Sequence, residues 1–232
     1  MLILAIDTAL DACAAAVLDT DSETMRAQES LVMKRGHAEA LMPLIARVMS
    51  QAGVAFSALG RIVATTGPGS FTGLRVGLSA ARGIALAARK PVVGVTTLSA
   101  FAAPVVAADR GHPVISAIDA RHDQVYFQVV GGGGEELVRP QIVPIAEAVA
   151  AARFGAAHLV GNAAGLLAER WPTDTAAPAA VDPRPAPDIA WIAWLGAAAV
   201  PELASARPFY LRAPDVKVPS NMPQPPTQTA TS

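Results

Sequence analysis

The densest chemical signal is a run with three glycines at one turn. Thr66-Gly67-Pro68-Gly69-Ser70-Phe71-Thr72-Gly73-Leu74-Arg75-Val76-Gly77 joins a short apolar run to a long stretch of helical period. Glycine lets a backbone turn tightly and lets another body approach closely. A helix start there also offers free N–H groups to an anion. The spacing is not Gly-x-Gly-x-x-Gly and no Lys-Ser/Thr pair follows, so neither dinucleotide nor Walker chemistry is written here. Two readings stay open: Gly67, Gly69 and Ser70 face a phosphate, or they form a tight turn with no ligand. Asp7 and Thr8 pose the same choice. An acid at the end of a first strand can place a metal-bound phosphate, or it can cap its own turn. The turn Asp7-Thr8-Ala9-Leu10-Asp11 has no glycine to admit phosphates. His37 and Glu39 open a helical stretch, but no second histidine stands at i+4 and no cysteine is near, which favours a capping role over a metal ligand. Ser79 lies inside a helical stretch rather than at a strand-to-helix elbow, so it is not a hydrolase nucleophile. Asp119-Ala120-Arg121 is a site or a solvated turn. His112, His122 and His158 have no metal-ligand spacing.

The elements that position these residues can be read from periodicity. Leu2–Ile6, Cys13–Leu18 and Ala27–Met33 read as three strands separated by turn residues. Leu41, Leu44, Ile45 and Val48 then recur at helical spacing, with Pro43 expected to kink that helix or mark a local start. Ile62–Ala64 is a strand, Phe71–Arg89 a helix and Val92–Val95 a strand. Gly73, Gly77, Ala81 and Ala85 fall at steps of four and make a stripe without bulk on one helix face. Such a stripe admits another helix or packs on the chain's own sheet. The order β-β-β-α-β-α-β resembles the ribonuclease H-like core used twice in the two-lobed actin and sugar-kinase (ASKHA) architecture. A weaker repeat follows: strands at Val114–Ile118, Gln124–Val130 and His158–Val160, and helices at Ile145–Arg153 and Ile189–Val200, the last with Asp188 as N-cap. Gly131–Gly134 reads as a hairpin-like turn and Thr173–Pro187 as a proline-rich loop. The expected division is an α/β lobe over 1–106, a smaller, reduced lobe over 107–215 and a disordered tail over 216–232.

Composition narrows the function classes. The 232 residues are 52% hydrophobic and 16% charged, enough to bury a core. A net charge of −1 argues against a surface that wraps nucleic acid unaided. A single cysteine, Cys13, excludes a disulfide framework and a multi-cysteine zinc site, and points to a reducing compartment, the cytoplasm. The longest greasy stretch, Ile189–Val200, is about half the ~20 residues of a membrane span, so no membrane association is expected.

Together, Ile3–Thr8, His37-Ala38-Glu39 with Leu41 and Pro43, Gly67–Gly77, and Asp119-Ala120-Arg121 with Val125-Tyr126 resemble the TsaB (YeaZ) family of bacterial tRNA threonylcarbamoyladenosine biosynthesis proteins. The likeness covers residues 1–130 and continues weakly to Pro208–Arg212. It implies an ASKHA fold and a role in modifying the adenosine beside the anticodon. The family's catalytic paralogue, TsaD, carries a His-x-x-x-His metal pair after Gly-Val-Asn. Here Gly94-Val95-Thr96 is followed by Thr97 and Phe101 at those two positions. Phe101 cannot bind a metal, so the resemblance implies a non-catalytic subunit without a metal. It further implies that the two helices of the first lobe pair with TsaD, or with a second copy as a homodimer. The expected partner residues are His37, Leu41, Leu44, Phe71, Gly73, Leu74, Gly77, Ala81 and Ala85. The ATPase TsaE would join the complex, and tRNA would be met only through it. No cofactor is expected on the chain alone, with ATP or ADP only within the complex. Asp7, Thr8, Gly67, Gly69 and Ser70 would then be a vestigial nucleotide region. The alternative is an ASKHA-type ATP-dependent enzyme or a metallopeptidase.

Overall fold

β1 (Leu2–Asp7), β2 (Ala12–Asp19) and β3 (Thr24–Val32) form an antiparallel meander, and β4 (Arg61–Gly67) and β5 (Val92–Thr96) extend it in parallel. This computed structural model describes residues 1–211. The sheet order is β3-β2-β1-β4-β5. Helices α1 (His37–Ala52) and α2 (Phe71–Ala88) cover one face, where Leu41, Leu44, Ile45, Val48, Leu78 and Ala81 meet Leu4, Ile6, Val17 and Ile62. The other face is closed by α6 (Ile189–Ala198), with Ile189, Ile192 and Ala193 against Ile3, Ala5, Ala16 and Val63. Burial on both faces is why β1, β2 and β4 read as unbroken apolar runs rather than alternating ones. Helix α1 runs through Pro43 without starting there. α3 (Thr97–Ala108) begins directly after β5, with the Thr96 hydroxyl accepting from the Ser99 N–H at 3.1 Å.

The second sheet has the order β10-β9-β6-β7-β8. Its strands are β6 (Val114–Asp119), β7 (Gln124–Val130), β8 (Glu136–Pro144), β9 (His158–Val160) and β10 (Ala180–Asp182). It repeats the first sheet's strand order in a reduced form: β9 and β10 have three residues each, and the crossovers are shortened to α4 (Ile145–Ala148) with a 3-10 extension and α5 (Ala164–Glu169). β8 carries two prolines and lacks an apolar run, which an edge strand tolerates because its outer side needs no donors. β10 lies in the stretch read as a proline-rich loop.

The domain boundary also moves. The chain after Pro187 returns to the first lobe rather than completing the second. Besides α6, Gly94 N–H donates to Ala204 O at 2.9 Å, Phe209 N–H to Thr66 O at 2.8 Å, and Ser205 bridges Val93. The expected tail, 216–232, lies outside the described residues. Arg61, at the start of β4, donates through Nη1 to the carbonyls of Gly196, Ala197 and Ala199 at 2.6, 3.1 and 2.8 Å. One guanidinium thereby satisfies the open carbonyls of the last turn of α6. Arg61→Ala is expected to cost about 1.5–3 kcal/mol, the range for hydrogen bonds to a charged group. Urea unfolding with an unchanged slope and a lowered midpoint would show it; an unmoved midpoint would mean water caps these carbonyls equally well.

Candidate functional site

The glycine run does its work inside the chain. A Cβ on Gly73 would sit 2.1 Å from Thr8 O, one on Gly69 2.3 Å from Ala9 O, and one on Gly77 2.4 Å from Thr8 Oγ1. The start of α2 is therefore pressed against the turn that follows β1. Thr8 Oγ1 donates to Gly73 O at 2.7 Å, and Ser70 N–H donates to Ala9 O at 2.7 Å. The Ser70 hydroxyl caps α2 by accepting from Gly73 N–H at 3.2 Å. The space that these glycines make is filled by the backbone of Thr8 and Ala9 and by the Thr8 hydroxyl.

Asp7 is 1% exposed and turned into the lobe. Its Oδ1 accepts from Thr65 Oγ1 at 2.6 Å and from Ala9 N–H at 3.0 Å, while Oδ2 has no partner among the described residues. Burial pushes its carboxyl above the usual range, against the opposing pull of the Thr65 hydroxyl, the Ala9 N–H and His37. An acid so placed braces its turn and does not present a carboxylate to a ligand. The vestigial-nucleotide assignment is corrected accordingly for Asp7 and Thr8, which are held by internal bonds.

Beside this turn lies a cleft of about 710 Å³ between the two sheets. One wall carries Lys34, Arg35, Gly69, Ser70, Phe71 and Thr72; the other carries Asp119, Arg121, Tyr126 and Asn162. Asp119 is fixed by Asn162, whose Oδ1 accepts its N–H at 2.8 Å, and its own Oδ1 accepts from Arg121 N–H at 2.7 Å. At the mouth Phe71 meets Tyr210 with ring centroids 5.5 Å apart, and the Arg75 guanidinium lies 3.8 Å over the Phe71 ring. Of the residues singled out from sequence, Gly69, Ser70, Phe71, Asp119 and Arg121 do meet here. Lys34, Arg35 and Asn162 were missed; they carry no motif, and they meet because the β3–α1 and β9–α5 connections open on the same cleft.

Residues 29–165 match the family model described as TsaD: tRNA N6-adenosine threonylcarbamoyltransferase. The chain is 34% identical over 152 residues to the tRNA threonylcarbamoyladenosine biosynthesis protein TsaB of Escherichia coli (strain K12), which covers 62% of this chain and 64% of that protein. It is likewise 34% identical over 128 residues to TsaB of Haemophilus influenzae, across 55% of this chain and 53% of the relative. The matches thus span between half and two thirds of these curated relatives. A Pseudomonas aeruginosa crystal structure, described as similar to the peptidase YeaZ, superposes with a TM-score of 0.74 at 30% identity, covering 91% of this chain and 99% of that one. The chain belongs to the TsaB (YeaZ) family.

Within that family frame the two positions set against TsaD's metal pair can be tested directly. Phe101 is 3% exposed and packs with Leu10, Leu74, Leu98, Ile118 and Val160 between the two sheets. Thr97 is fully buried. A phenyl ring in a core offers no ligand atom, so these two residues do not fit the metal.

The expected partner face also needs correction. Gly73, Gly77, Ala81 and Ala85 are buried against the first lobe, as are Leu41 and Leu44, and Leu74 is buried in the cluster between the two sheets. The ring of His37 bonds Leu10 O through Nε2 at 3.0 Å, tying α1 to the β1–β2 turn. None of these side chains is offered to a partner; of the nine expected, Phe71 alone is exposed. The open face of the two helices lies one step around each. On α1 it carries Ala38, Met42 and Ala46, and on α2 Thr72, Ser79, Gly83, Leu86 and Ala87. Leu86 is 82% and Met42 50% exposed, and a Cβ on Gly83 would meet nothing within 4 Å. Among the described residues no helix is long and apolar enough to cross a membrane.

Proposed function

We propose that the chain is a non-catalytic subunit of the tRNA threonylcarbamoyladenosine machinery, acting in the cytoplasm by binding the TsaD transferase. The observation that carries this reading is the pair Thr97 and Phe101: where the transferase paralogue holds its metal, this chain has packed core. The names of the E. coli and H. influenzae relatives support the pathway. The outward face of α1 and α2, small at Ala38, Ala46, Ser79 and Gly83 and apolar at Met42 and Leu86, supports a helix-pairing role. TsaD would occupy that face, a second copy of this chain would take it when TsaD is absent, and TsaE would join the assembled pair. ATP or ADP and tRNA would be met only in that assembly.

The decisive experiment is reconstitution with TsaD from the same organism. The chain alone should transfer no threonylcarbamoyl group to tRNA and hydrolyse no ATP. TsaD with this chain should co-purify as a stable pair and, with TsaE, form the modified adenosine. Transfer or ATP turnover by the isolated chain would overturn the non-catalytic assignment, and failure to co-purify would overturn the partner.

A further inference from the structure

The fold gathers two histidines and an acid that sequence spacing keeps apart. Asp109 follows the last turn of α3, His112 lies in the linker to β6, and His158 opens β9. Asp109 Oδ2 lies 2.8 Å from His112 Nδ1 and 2.8 Å from His158 Nε2. Its other oxygen accepts Gly111 N–H at 2.8 Å, which fixes the carboxylate plane. The two rings stand edge to face with centroids 5.7 Å apart. We infer that Asp109, His112 and His158 form a binding site for a divalent transition-metal ion of the zinc type.

The donor set decides the class of ion. Two imidazoles and one carboxylate suit zinc, cobalt or nickel, whereas magnesium and calcium require oxygen ligands. One ligand atom from each residue lies within 4.8 Å of the others. A tetrahedral zinc with bonds near 2.0–2.1 Å holds its ligands roughly 3.4 Å apart, so an ion enters by small side-chain shifts. Each ring can turn its facing nitrogen into a lone-pair donor by moving its proton to the other nitrogen, leaving the imidazole neutral. Asp109 brings a carboxylate oxygen to the pair of rings, with the plane of the group already set by Gly111 N–H.

The backbones behind two of the three ligands are anchored. His158 N–H donates to Pro113 O at 2.9 Å, and β9 is paired to both β6 and β10. Asp109 N–H donates to Val105 O at 2.7 Å. The His158 side chain is 18% exposed and that of His112 44%, so the site is anchored at its inner side and open at its outer side. That leaves a fourth position for water. A bound ion would staple the linker between α3 and β6 to β9. The site is separate from Thr97 and Phe101, which lie near the opposite end of α3, and it stands independently of the proposed partner role.

Zinc titration of the chelator-stripped full chain, carrying no histidine tag, tests this. One zinc per chain should bind saturably, raise the melting temperature, and give a four-coordinate visible spectrum when cobalt replaces it. His158→Ala and His112→Ala should each weaken zinc binding by at least about a hundredfold, the upper end of what even an outer-shell change costs. His112, being half exposed, can be removed without touching the core if His158→Ala fails to fold. His122→Ala, an exposed histidine outside the cluster, should change nothing. The assignment is overturned if no saturable one-to-one binding occurs, or if both cluster variants bind zinc as the parent does.

Discussion

Gly77→Arg should leave the first lobe without a cooperative melt. A Cβ at this position would stand 2.4 Å from Thr8 Oγ1 and 3.9 Å from Ile6 Cγ2, in the seam between α2 and β1. The guanidinium beyond it would be driven into the core of Leu4, Ile6 and Leu78. Forcing a long cation into a packed core and overpacking it both belong to the few mechanisms that exceed about 4–5 kcal/mol. Against a typical total of about 5–15 kcal/mol, that is enough to unfold a lobe. Circular dichroism and thermal melting read the outcome; a normal melt would return Gly77 to an outer face. A gentler pair of variants isolates the contact. Gly77→Ala gains about 1 kcal/mol of helix propensity. It must also displace the Thr8 hydroxyl from its 2.7 Å bond to Gly73 O, at a cost of about 1–3 kcal/mol. The net change should be destabilising in the parent and stabilising in a Thr8→Ala background, where the obstructing oxygen is gone. Additive behaviour of the two changes would refute the contact.

This seam marks the limit of what periodicity can tell. Steps of four from Gly73 to Ala85 define a face of α2, and the face exists, but spacing carries no direction. The direction is set by Thr8, more than sixty positions earlier, whose backbone and hydroxyl fill the space the glycines leave. Strands β1, β2, β4 and β5 and helices α1 and α2 were legible because each presents a strong local pattern, continuous apolar for strands covered on both faces and a period near 3.6 for the helices. β8 escaped because an edge strand with prolines needs no such pattern. α3 escaped because its sequence, Thr-Leu-Ser-Ala-Phe-Ala-Ala-Pro-Val-Val-Ala-Ala, is apolar nearly all round and so has no polar face to mark a period. The return of α6 to the first sheet is a tertiary choice between two apolar surfaces, which local composition does not encode. The Asp109–His158 contact is of the same kind. Asp109 and His112 stand three apart and were within reach, but His158 arrives only through the parallel pairing of β9 with β6.

Gly83→Arg should leave the melt intact and abolish partner binding. The position is exposed, nothing lies within 4 Å of a Cβ there, and arginine is a better helix former than glycine by roughly 0.5–1 kcal/mol, so the isolated chain should be unchanged or slightly more stable. The effect falls on assembly. Gly83 sits on the open side of α2 with Ser79 and Ala87, where small side chains would let a facing helix come close. A long cation there must be buried without a partner or must hold the helices apart. The cost of an uncompensated buried charge is about 3–5 kcal/mol. At about 1.4 kcal/mol per decade this is a hundredfold to a few thousandfold in affinity for TsaD, with the same order of loss in self-association. Co-purification and a concentration series by light scattering measure both, and tRNA modification in depleted cells reports the consequence. The contrast with Gly77→Arg carries the assignment: two glycine-to-arginine changes six residues apart on one helix, one destroying the fold and the other only the pair. A folded Gly83→Arg chain that binds TsaD normally and restores modification would move the interface off this face of α2, leaving the Ala38, Met42 and Ala46 side of α1 as the surface to test next.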